Sequence, residues 1–547
     1  MKVFDSVPVK VPAKNVFNLS HDVKSTYNFD KLYPFLCQPV YPGDTFNCRA
    51  EVFLRAMPLL CPVMHNVDMH LHFFFVPNRL LWNANRKTDW KVFITGGEDG
   101  KQRPTMPYFN YAQLNNISSV LIEKGSLIDH LGFPTLNDAT GAVIRNGNVK
   151  VSSLPLRAYT CVYNEYYRNQ NVTPEVEFSY DEGQESDSDL AKIAVFRRKA
   201  WEKDYFTSAL PFLQRGQAMT LPIAGTQTVT QSGMTVDVNS ARIVGDNVSY
   251  GLQKAAGDVA VLMSGDQTFA SKQGALNLEG TVNSGSLTFT GLNIGTINDF
   301  RYCLRLQQWM ENNARCGSRY IEQLFAHFGV RSSDARLQRP ELLGGGKIPL
   351  IFSDIPQTSY GSGANDDVVG DLAGKGTMYG KTGGFKKYFE EHGVLLGILS
   401  IIPRTSYCQG IPRPWTAFDK EDWYFPEFAH LGEQAILNKE IFYDPTENVT
   451  LGRGPDDVFG YQGRFTELRY IPSSVHGEMR DQLKYWHFGR IFPALPVLNT
   501  TFVEAQSQVD SFAMSDVASG DLDPFVCEIH LDIKAVRPLP KYAVPTL

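Results

Sequence analysis

The cysteines of this 547-residue sequence lack the spacings of a metal site. All eight are scattered along the chain, with no CxxC pair and no cysteine–histidine spacing typical of zinc. We therefore expect reduced cysteines in the protein core, which is consistent with assembly in a cytoplasm.

Long apolar runs and a basic excess are also lacking. No apolar run reaches the ~18 residues that span a bilayer, and Met1–Pro8 lacks the apolar core of a signal peptide. We expect neither membrane insertion nor secretion by that route. The formal charge of -6 excludes a protein that coats nucleic acid by bulk electrostatics, so any DNA contact must be local.

Motifs of common hydrolytic chemistry are absent as well. There is no G-x-S-x-G elbow and no HExxH helix. Gly376–Thr382 approaches a phosphate-binding P-loop, but only three residues separate its glycines where four are needed. We interpret it as part of a glycine-rich surface loop at Tyr360–Gly384. His70 and His72 share a strand face without a third ligand nearby, which favours a sheet-face or subunit-contact role. The sequence predicts no metal, no cofactor and no enzyme.

The sequence does contain many short apolar runs bounded by turn residues, which favours β structure. Apolar residues alternate with polar ones in Thr45–Arg55, Met69–Val76 and Cys527–Ala535, as in strands with one buried face. Val394–Ile402 is apolar almost throughout, which predicts a strand covered on both faces. Segments far apart in the chain should therefore pair in one sheet.

Helices are expected between these strands. Ser153 and Pro155 begin one candidate helix. A longer one runs from Asp299, a natural N-cap, to Phe328, with Gly317 as a possible break. Strands separated by such excursions fit a mainly β jelly roll with elaborated connections better than an alternating βαβ sheet.

Residues 218–296 differ in composition from the rest of the chain. The stretch is rich in Gly, Ser and Thr, carries few charges, and has only Tyr250, Phe269 and Phe289 as aromatic residues. We predict an inserted surface module of short strands between two parts of a core, residues 1–217 and 297–547.

One constellation favours nucleic-acid binding. Lys534, Arg537, Lys541 and Tyr542 lie in a Pro-punctuated C-terminal segment that could contact phosphates and stack on bases of single-stranded DNA. An equally weighted alternative is a tail that straps a neighbouring subunit. A second basic cluster favours a solvated or intersubunit role over DNA binding; it consists of Arg331, Arg336 and Arg339.

Several strings, in order along nearly all of the chain outside the insertion, resemble the major capsid proteins of microviruses (Microviridae), particularly the gokushovirus-like branch. They include VYPGDTF at Val40–Phe46, HFFFVPNRL at His72–Leu80, DYFTSALP at Asp204–Pro211, DARLQRPE at Asp334–Glu341, FAHLGEQ at Phe428–Gln434 and VFGYQ at Val458–Gln462. No single string decides the matter, but their colinear succession is specific.

The resemblance implies an eight-stranded antiparallel jelly roll, the viral capsid β-sandwich, with long helical and looped insertions. It also implies self-assembly of a 60-subunit T=1 icosahedral shell around circular single-stranded DNA of a bacteriophage. The inserted module would project outward near the threefold axes, where Tyr250, Phe269 and Phe289 are candidates for contact with a host surface receptor. Scaffolding, pilot and minor virion proteins are further candidate partners. The expected location is the virion, assembled in the host bacterial cytoplasm.

Assembly would then replace chemistry as the mechanism. We expect the excursions Asp299–Gly346 and Phe418–Gly463 to bury surface against neighbouring subunits. Two other classes stay open at this point. A carbohydrate-active β-sandwich enzyme would need two carboxylates spaced for glycosidic chemistry in a cleft. A phage receptor-binding spike would typically trimerise without closing a shell.

Overall fold

The computed structural model describes residues 13–83, 88–135, 149–216, 240–243, 249–254, 260–263, 276–279, 297–316, 319–358, 369–443, 454–506, 508–518 and 522–542. The chain divides into two compact units. One combines Met1–Arg215 with Glu311–Leu547, and the other is Gly216–Met310.

Strands dominate the described part of the chain. They are β1 Asn15–Asn18, β2 His21–Tyr27, β3 Tyr33–Val40, β4 Thr45–Ala56, β5 Val67–Pro77, β6 Tyr108–Asn110, β7 Lys150–Ser152, β8 Ser240–Ile243, β9 Ser249–Lys254, β10 Ala260–Met263, β11 Leu276–Glu279, β12 Glu341–Pro356, β13 Leu372–Tyr388, β14 Gly393–Pro403, β15 Ser406–Tyr407, β16 Glu433–Leu437, β17 Val458–Gly463, β18 Ser473–Ser474 and β19 Phe525–Arg537.

Helices lie mainly in the excursions between these strands. They are α1 Asn78–Leu81, α2 Trp90–Thr95, α3 Tyr111–Ile117, α4 Leu127–His130, α5 Leu154–Val162 with a π-helical continuation Tyr163–Tyr167, α6 Asp187–Ile193, α7 Ile297–Cys316, α8 Tyr320–Phe328, α9 Asn438–Ile441, α10 Thr500–Val503 and α11 Ser515–Ala518. Short 3-10 helices occupy Ser119–Ile122, Arg413–Thr416, Lys420–Asp422, Pro426–His430, Thr466–Leu468, Gly477–Arg480 and Lys484–Trp486.

The principal sheet is antiparallel and follows the order β1-β19-β4-β13-β12-β5-β14-β3, with β2 also paired to β19. Its eight positions are filled by nine strands, because β1 and β2 share one edge of β19. The long strand β12 pairs with β5 in its first part and with β13 in its second, so the sheet curls into a half-barrel. This architecture confirms the predicted antiparallel jelly roll with helical insertions.

The alternating segments form the strands at the centre of this sheet. In β4, Phe46, Cys48 and Val52 point into the core and are fully buried. Their cross-strand partners in β19, such as Ile533 opposite Cys48 and Ile529 opposite Val52, are also buried. The predicted pairing of the two ends of the chain is confirmed by this register. A shift by one residue would turn the apolar side chains of one strand away from the core.

β14 is buried on both faces because it separates two apolar cores. Leu395 and Leu399 belong to the core inside the curled sheet. Leu396 and Ile398 instead pack with residues of the helical excursion, among them Tyr159 of α5. The predicted two-sided strand is therefore confirmed, and the second core fixes the helices against the back of the sheet.

The predicted loop at Tyr360–Gly384 is wrong for its second half, which forms β13 between β4 and β12. Its glycines allow neighbouring backbones to approach closely. A Cβ at Gly374 would lie 2.2 Å from the carbonyl oxygen of Cys61, and one at Gly384 would lie 2.2 Å from that of Cys48. Glycine in a strand marks such approaches, so the P-loop-like residues belong to a strand.

Two further expectations need correction. The long helix begins at Ile297, so Asp299 lies in its first turn and is not its N-cap; a carboxylate there still complements the helix dipole. All eight cysteines are free thiols, but Cys316 is exposed and does not belong to the core. Cys48, Cys61 and Cys527 are buried as expected.

In the inserted region, the described residues form a four-stranded sheet in the order β10-β9-β8-β11. The connecting residues between these strands lie outside the described part of the chain. Across the residues that the structure does describe, no helix combines the length and apolar character that bilayer crossing requires.

Candidate assembly and nucleic-acid interfaces

The predicted nucleic-acid residues divide between a strand and the segment after it. Lys534 and Arg537 belong to β19, where Lys534 pairs with Asn47 of β4 and Asn18 of β1. The predicted strand therefore includes Lys534 and extends through Arg537, so the backbone of these two residues completes the sheet and does not form a tail. Lys541 and Tyr542 follow the strand and are exposed, with the Lys541 ammonium 5.7 Å from the Tyr542 ring centre.

Arg537 contacts two residues of its own subunit near the start of β4. Its Nε atom lies 3.3 Å from the Asp44 carboxylate, and its guanidinium lies 5.3 Å from the ring centre of Phe46. Asp44 is almost fully buried in the turn before β4. Burial raises the pKa of Asp44, whereas a backbone hydrogen bond at Tyr41 and the charge of Arg537 act in the opposite direction. Arg537 thus supplies the counter-charge of a buried carboxylate.

Lys534 points to a solvent-facing surface of the sheet. We call the outward side chains of β2, β19, β4 and β13 the exposed sheet face. It carries seven cations and four carboxylates, a charge of 7 − 4 = +3, in a chain with a formal charge of -6. The cations are Lys24, Arg49, Arg55, Lys375, Lys381, Lys386 and Lys534, and the carboxylates are Asp22, Glu51, Glu528 and Asp532.

Only two of these seven cations form ion pairs with described residues. Lys24 lies 3.3 Å from Glu528, and Lys381 lies 2.6 Å from Glu51. Within the described residues, the other five cations form no ion pair: Arg49, Arg55, Lys375, Lys386 and Lys534. Such cations keep their full attraction for a polyanion.

Aromatic rings interleave with these cations. Phe53 of β4 and Tyr379 of β13 are directly opposite each other in the strand register, and both are exposed. The Arg55 guanidinium lies 5.1 Å from the Phe53 ring centre, and exposed Tyr388 lies further along β13. Free cations beside exposed rings can contact phosphates and stack on unpaired bases. The alternating pattern of the sequence predicted Arg49, Phe53 and Arg55 on the outer face of β4. It did not predict the positions of Tyr379 and Lys375, because their strand β13 was expected to be a loop.

A second surface lies between β15 and β16. All ten residues from Phe418 to Glu427 are exposed, and Trp415 and Phe418 expose 76% and 88% of their area. We call residues 415–431 the acidic arm, because four carboxylates face one lysine there, a charge of 1 − 4 = -3. Its carboxylates are Asp419, Glu421, Asp422 and Glu427, and its aromatic residues are Trp415, Phe418, Trp423, Tyr424, Phe425 and Phe428.

Two arginines connect the acidic arm to the body of the subunit, one just before the arm and one that contacts a residue inside it. Arg413, just before it, donates to the carboxylate of Glu440 at 3.0 Å and to the carbonyl of Ala435 at 2.6 Å. Arg464 donates to the backbone carbonyl of Glu421 at 2.7 Å. These bonds restrict the conformations of the arm before it binds, which lowers the entropic cost of docking it.

A third surface combines α8 with the turn after it. We call residues 319–339 the basic helix surface, since four arginines face two carboxylates there, a charge of 4 − 2 = +2. Arg319 lies 3.6 Å from Glu322, and Arg339 lies 3.2 Å from Asp334. In this part of the structure, the remaining two arginines are exposed and form no ion pair. They are Arg331 and Arg336, and the same surface carries four exposed apolar side chains, those of Tyr320, Phe325, Phe328 and Val330.

His70 and His72 have contacts that fit a sheet-face role. Nδ1 of His72 lies 2.9 Å from the Tyr167 hydroxyl, and Nε2 of His70 lies 3.4 Å from Glu202. Lys347 bridges Glu202 at 3.0 Å and Asp68 at 2.7 Å. Among the residues with described positions, no group of three or more metal-ligating side chains comes together.

The candidate host-contact residues are only partly placed. Tyr250 lies in β9, whereas Phe269 and Phe289 lie outside the described residues. Their role remains a prediction from the sequence.

Comparison with known proteins assigns the chain to one family. A family described as capsid protein (F protein) matches residues 6–547. The chain belongs to this capsid protein family. It is 32% identical to the capsid protein VP1 of Chlamydia phage 1, over 100% of this chain and 97% of that protein. It is also 32% identical to the capsid protein VP1 of Bdellovibrio phage phiMH2K, over 99% of this chain and 97% of that protein.

A third relative extends the same relationship. The capsid protein VP1 of Spiroplasma virus 4 is 27% identical over 98% of this chain and 95% of its own length. The predicted resemblance to gokushovirus-like microviruses is thus confirmed, and the chain is a major capsid protein. A capsid protein assembles into a multi-subunit shell and is part of the virion.

Proposed function

We propose that sixty copies of this chain form a T=1 icosahedral shell around a circular single-stranded DNA genome. The match to the capsid protein family along residues 6–547 carries this proposal. The curled antiparallel sheet supports it, because a jelly roll gives a rigid block whose excursions can contact neighbours in a closed symmetric assembly. The role is structural, with no catalytic step.

We infer that the exposed sheet face contacts the packaged DNA. Five of its cations form no ion pair with any described residue and offer sites for phosphates, and Phe53 and Tyr379 offer stacking surfaces for bases. A local patch of this kind reconciles DNA binding with the net negative charge of the chain. Lys534 lies on this face, and exposed Lys541 and Tyr542 extend the set.

The other parts of the proposal concern the virion surface and its assembly. The glycine-rich insertion would project outward and contact a host receptor through residues such as Tyr250, Phe269 and Phe289. Eight free thiols support assembly in the bacterial cytoplasm, where thiols stay reduced. Scaffolding, pilot and minor virion proteins would be transient or minor partners.

Electron microscopy of particles tests this function directly. The full chain is produced together with the other genes of its virus, and the assemblies are purified by sedimentation. Closed icosahedral particles of sixty copies that protect circular single-stranded DNA from nuclease are expected. Monomers or trimers that protect no DNA would contradict the proposal and would favour an enzyme or a spike.

A further inference from the structure

The acidic arm presents apolar side chains that the described part of the subunit leaves largely exposed. Trp415, Phe418, Trp423, Tyr424 and Phe425 are all exposed within eleven residues of chain. Contiguous exposed apolar side chains at this density mark protein interfaces. Aromatic residues also dominate the energetics of protein contacts.

The charge of the acidic arm indicates what kind of surface binds it. With a charge of -3 around its aromatic residues, the arm repels an acidic partner and attracts a basic apolar one. The basic helix surface has both properties. Arg331 and Arg336 are exposed without an ion pair in the described structure, and the Arg331 guanidinium lies 4.8 Å from the ring centre of exposed Phe325.

These two surfaces do not cover each other within one subunit. Phe418 of the arm and Phe328 of α8 expose 88% and 75% of their area, so the described part of the subunit leaves most of each side chain uncovered. A second copy provides the missing surface, because every copy in a shell carries both. Symmetry then repeats one contact throughout the assembly.

We propose that the acidic arm of one copy docks on the basic helix surface of a second copy. This inference rests on the proposed function, since it identifies which surfaces hold the shell together. The aromatic residues of the arm pack against Phe325, Phe328 and Val330. Glu421 and Glu427 approach Arg331 and Arg336, which sets the register of the contact.

Charge reversal on the two surfaces tests the pairing. One variant carries Glu421→Lys and Glu427→Lys, a second carries Arg331→Glu and Arg336→Glu, and a third carries all four changes. All four side chains are exposed, so the subunit keeps its fold. A matched control reverses two exposed lysines of α2 and the turn after it, Lys91→Glu and Lys101→Glu. Each full-length variant is produced as for the parent chain, and particle yield is measured by sedimentation and microscopy.

We expect each two-residue variant on the paired surfaces to lower particle yield by about tenfold or more, because like charges then face each other. The four-residue variant should recover to within about threefold of the parent, because opposite charges face each other again. The lysine control should assemble like the parent. Thermal unfolding of each variant checks that the subunit is folded.

Two outcomes overturn the pairing while leaving the capsid function intact. In one, either two-residue variant assembles like the parent; in the other, the four-residue variant stays folded but fails to assemble. If the arm variant assembles but its particles no longer infect, the arm is assigned to a host contact instead. Failure of the parent chain to form particles is distinct, because it contradicts the proposed function itself.

Discussion

Arg537 and Asp44 form an ion pair with a 3.3 Å separation between Nε and the carboxylate oxygen, at the point where the end of β19 meets the turn before β4. Asp44 is almost fully buried, so its charge depends on this guanidinium and on a backbone hydrogen bond at Tyr41. The pair connects the two ends of the chain through side chains as well as backbone.

Replacement Arg537→Ala should lower the free energy of unfolding by about 2 kcal/mol, because it leaves a buried carboxylate without its counter-charge. The pKa of Asp44 would rise further, so the loss should shrink as the pH falls through that pKa and the carboxyl becomes neutral. Denaturant titrations at several pH values measure both effects. In an Asp44→Asn background the same replacement should cost less, and an equal cost would contradict the role of the pair.

Replacement of three cations of the exposed sheet face that form no ion pair with described residues, Arg49→Ala, Lys375→Ala and Lys534→Ala together, should weaken binding of single-stranded DNA. The slope of log K against log salt should fall by about 2, since each phosphate contact contributes about 0.7 for single strands. Fluorescence anisotropy with an oligonucleotide gives the slope. A matched variant at three exposed lysines elsewhere, Lys91, Lys101 and Lys124, should keep it; equal losses in both variants would refute a specific face.

Gly374→Ala should destabilise the subunit by about 3 kcal/mol, because its Cβ would meet the Cys61 carbonyl at 2.2 Å and the strands would have to separate. Gly383→Ala is the control in the same strand. Its Cβ would lie 3.4 Å from the nearest atom, and the change should cost less than about 1 kcal/mol. Comparable losses at both positions would show that close approach is not the cause.

The subunit should lose stability between about pH 6.5 and pH 4 through buried histidines. Burial lowers the pKa of His130 to about 4, so the unfolded chain binds a proton in this range and the folded one does not. Tyr27, Tyr33 and Phe196 surround its ring. His130→Phe should therefore flatten the fall of the thermal midpoint with acidification, and an unchanged slope would exclude this cause.

Deletion of residues 225–293 tests the role of the insertion. Particles should still form, because the principal sheet draws none of its strands from this region, while attachment to host cells should be lost. Particle yield and cell binding are measured side by side. Absence of particles with a folded subunit would place the insertion in the frame of the shell.

Alternation predicted the central strands closely. β4, β5 and β19 each extend no more than two residues beyond the segments predicted from their period-two pattern. One-sided burial produces this pattern in β4 and β19. The expectation of a single buried face is wrong for β5, because Phe74 and Val76 on its second face are buried as well. β14 was predicted equally well from its continuous apolar run, because it lies between two cores and therefore has no polar face.

β13 was not predictable in the same way. Its glycines read locally as a loop, and the reason for them lies in the backbones of Cys61 and Cys48 across the sheet. The contacts of the surface residues were unpredictable for the same reason, because their partners are distant in sequence. Arg537 looked like a free cation because Asp44 is distant in sequence, and the pairing of Tyr379 with Phe53 exists only in the register of β13 with β4.

β19 lies between β4 and the β1–β2 edge, so the interior of the sheet is completed by residues that leave the ribosome long after its other strands. Until Phe525–Arg537 emerges, β4 has an unpaired edge and the core lacks one wall. A growing chain therefore cannot offer a finished subunit, and shell growth must draw on released, fully translated chains. The order of synthesis itself delays polymerisation, because the edge of β4 stays unpaired until β19 is made.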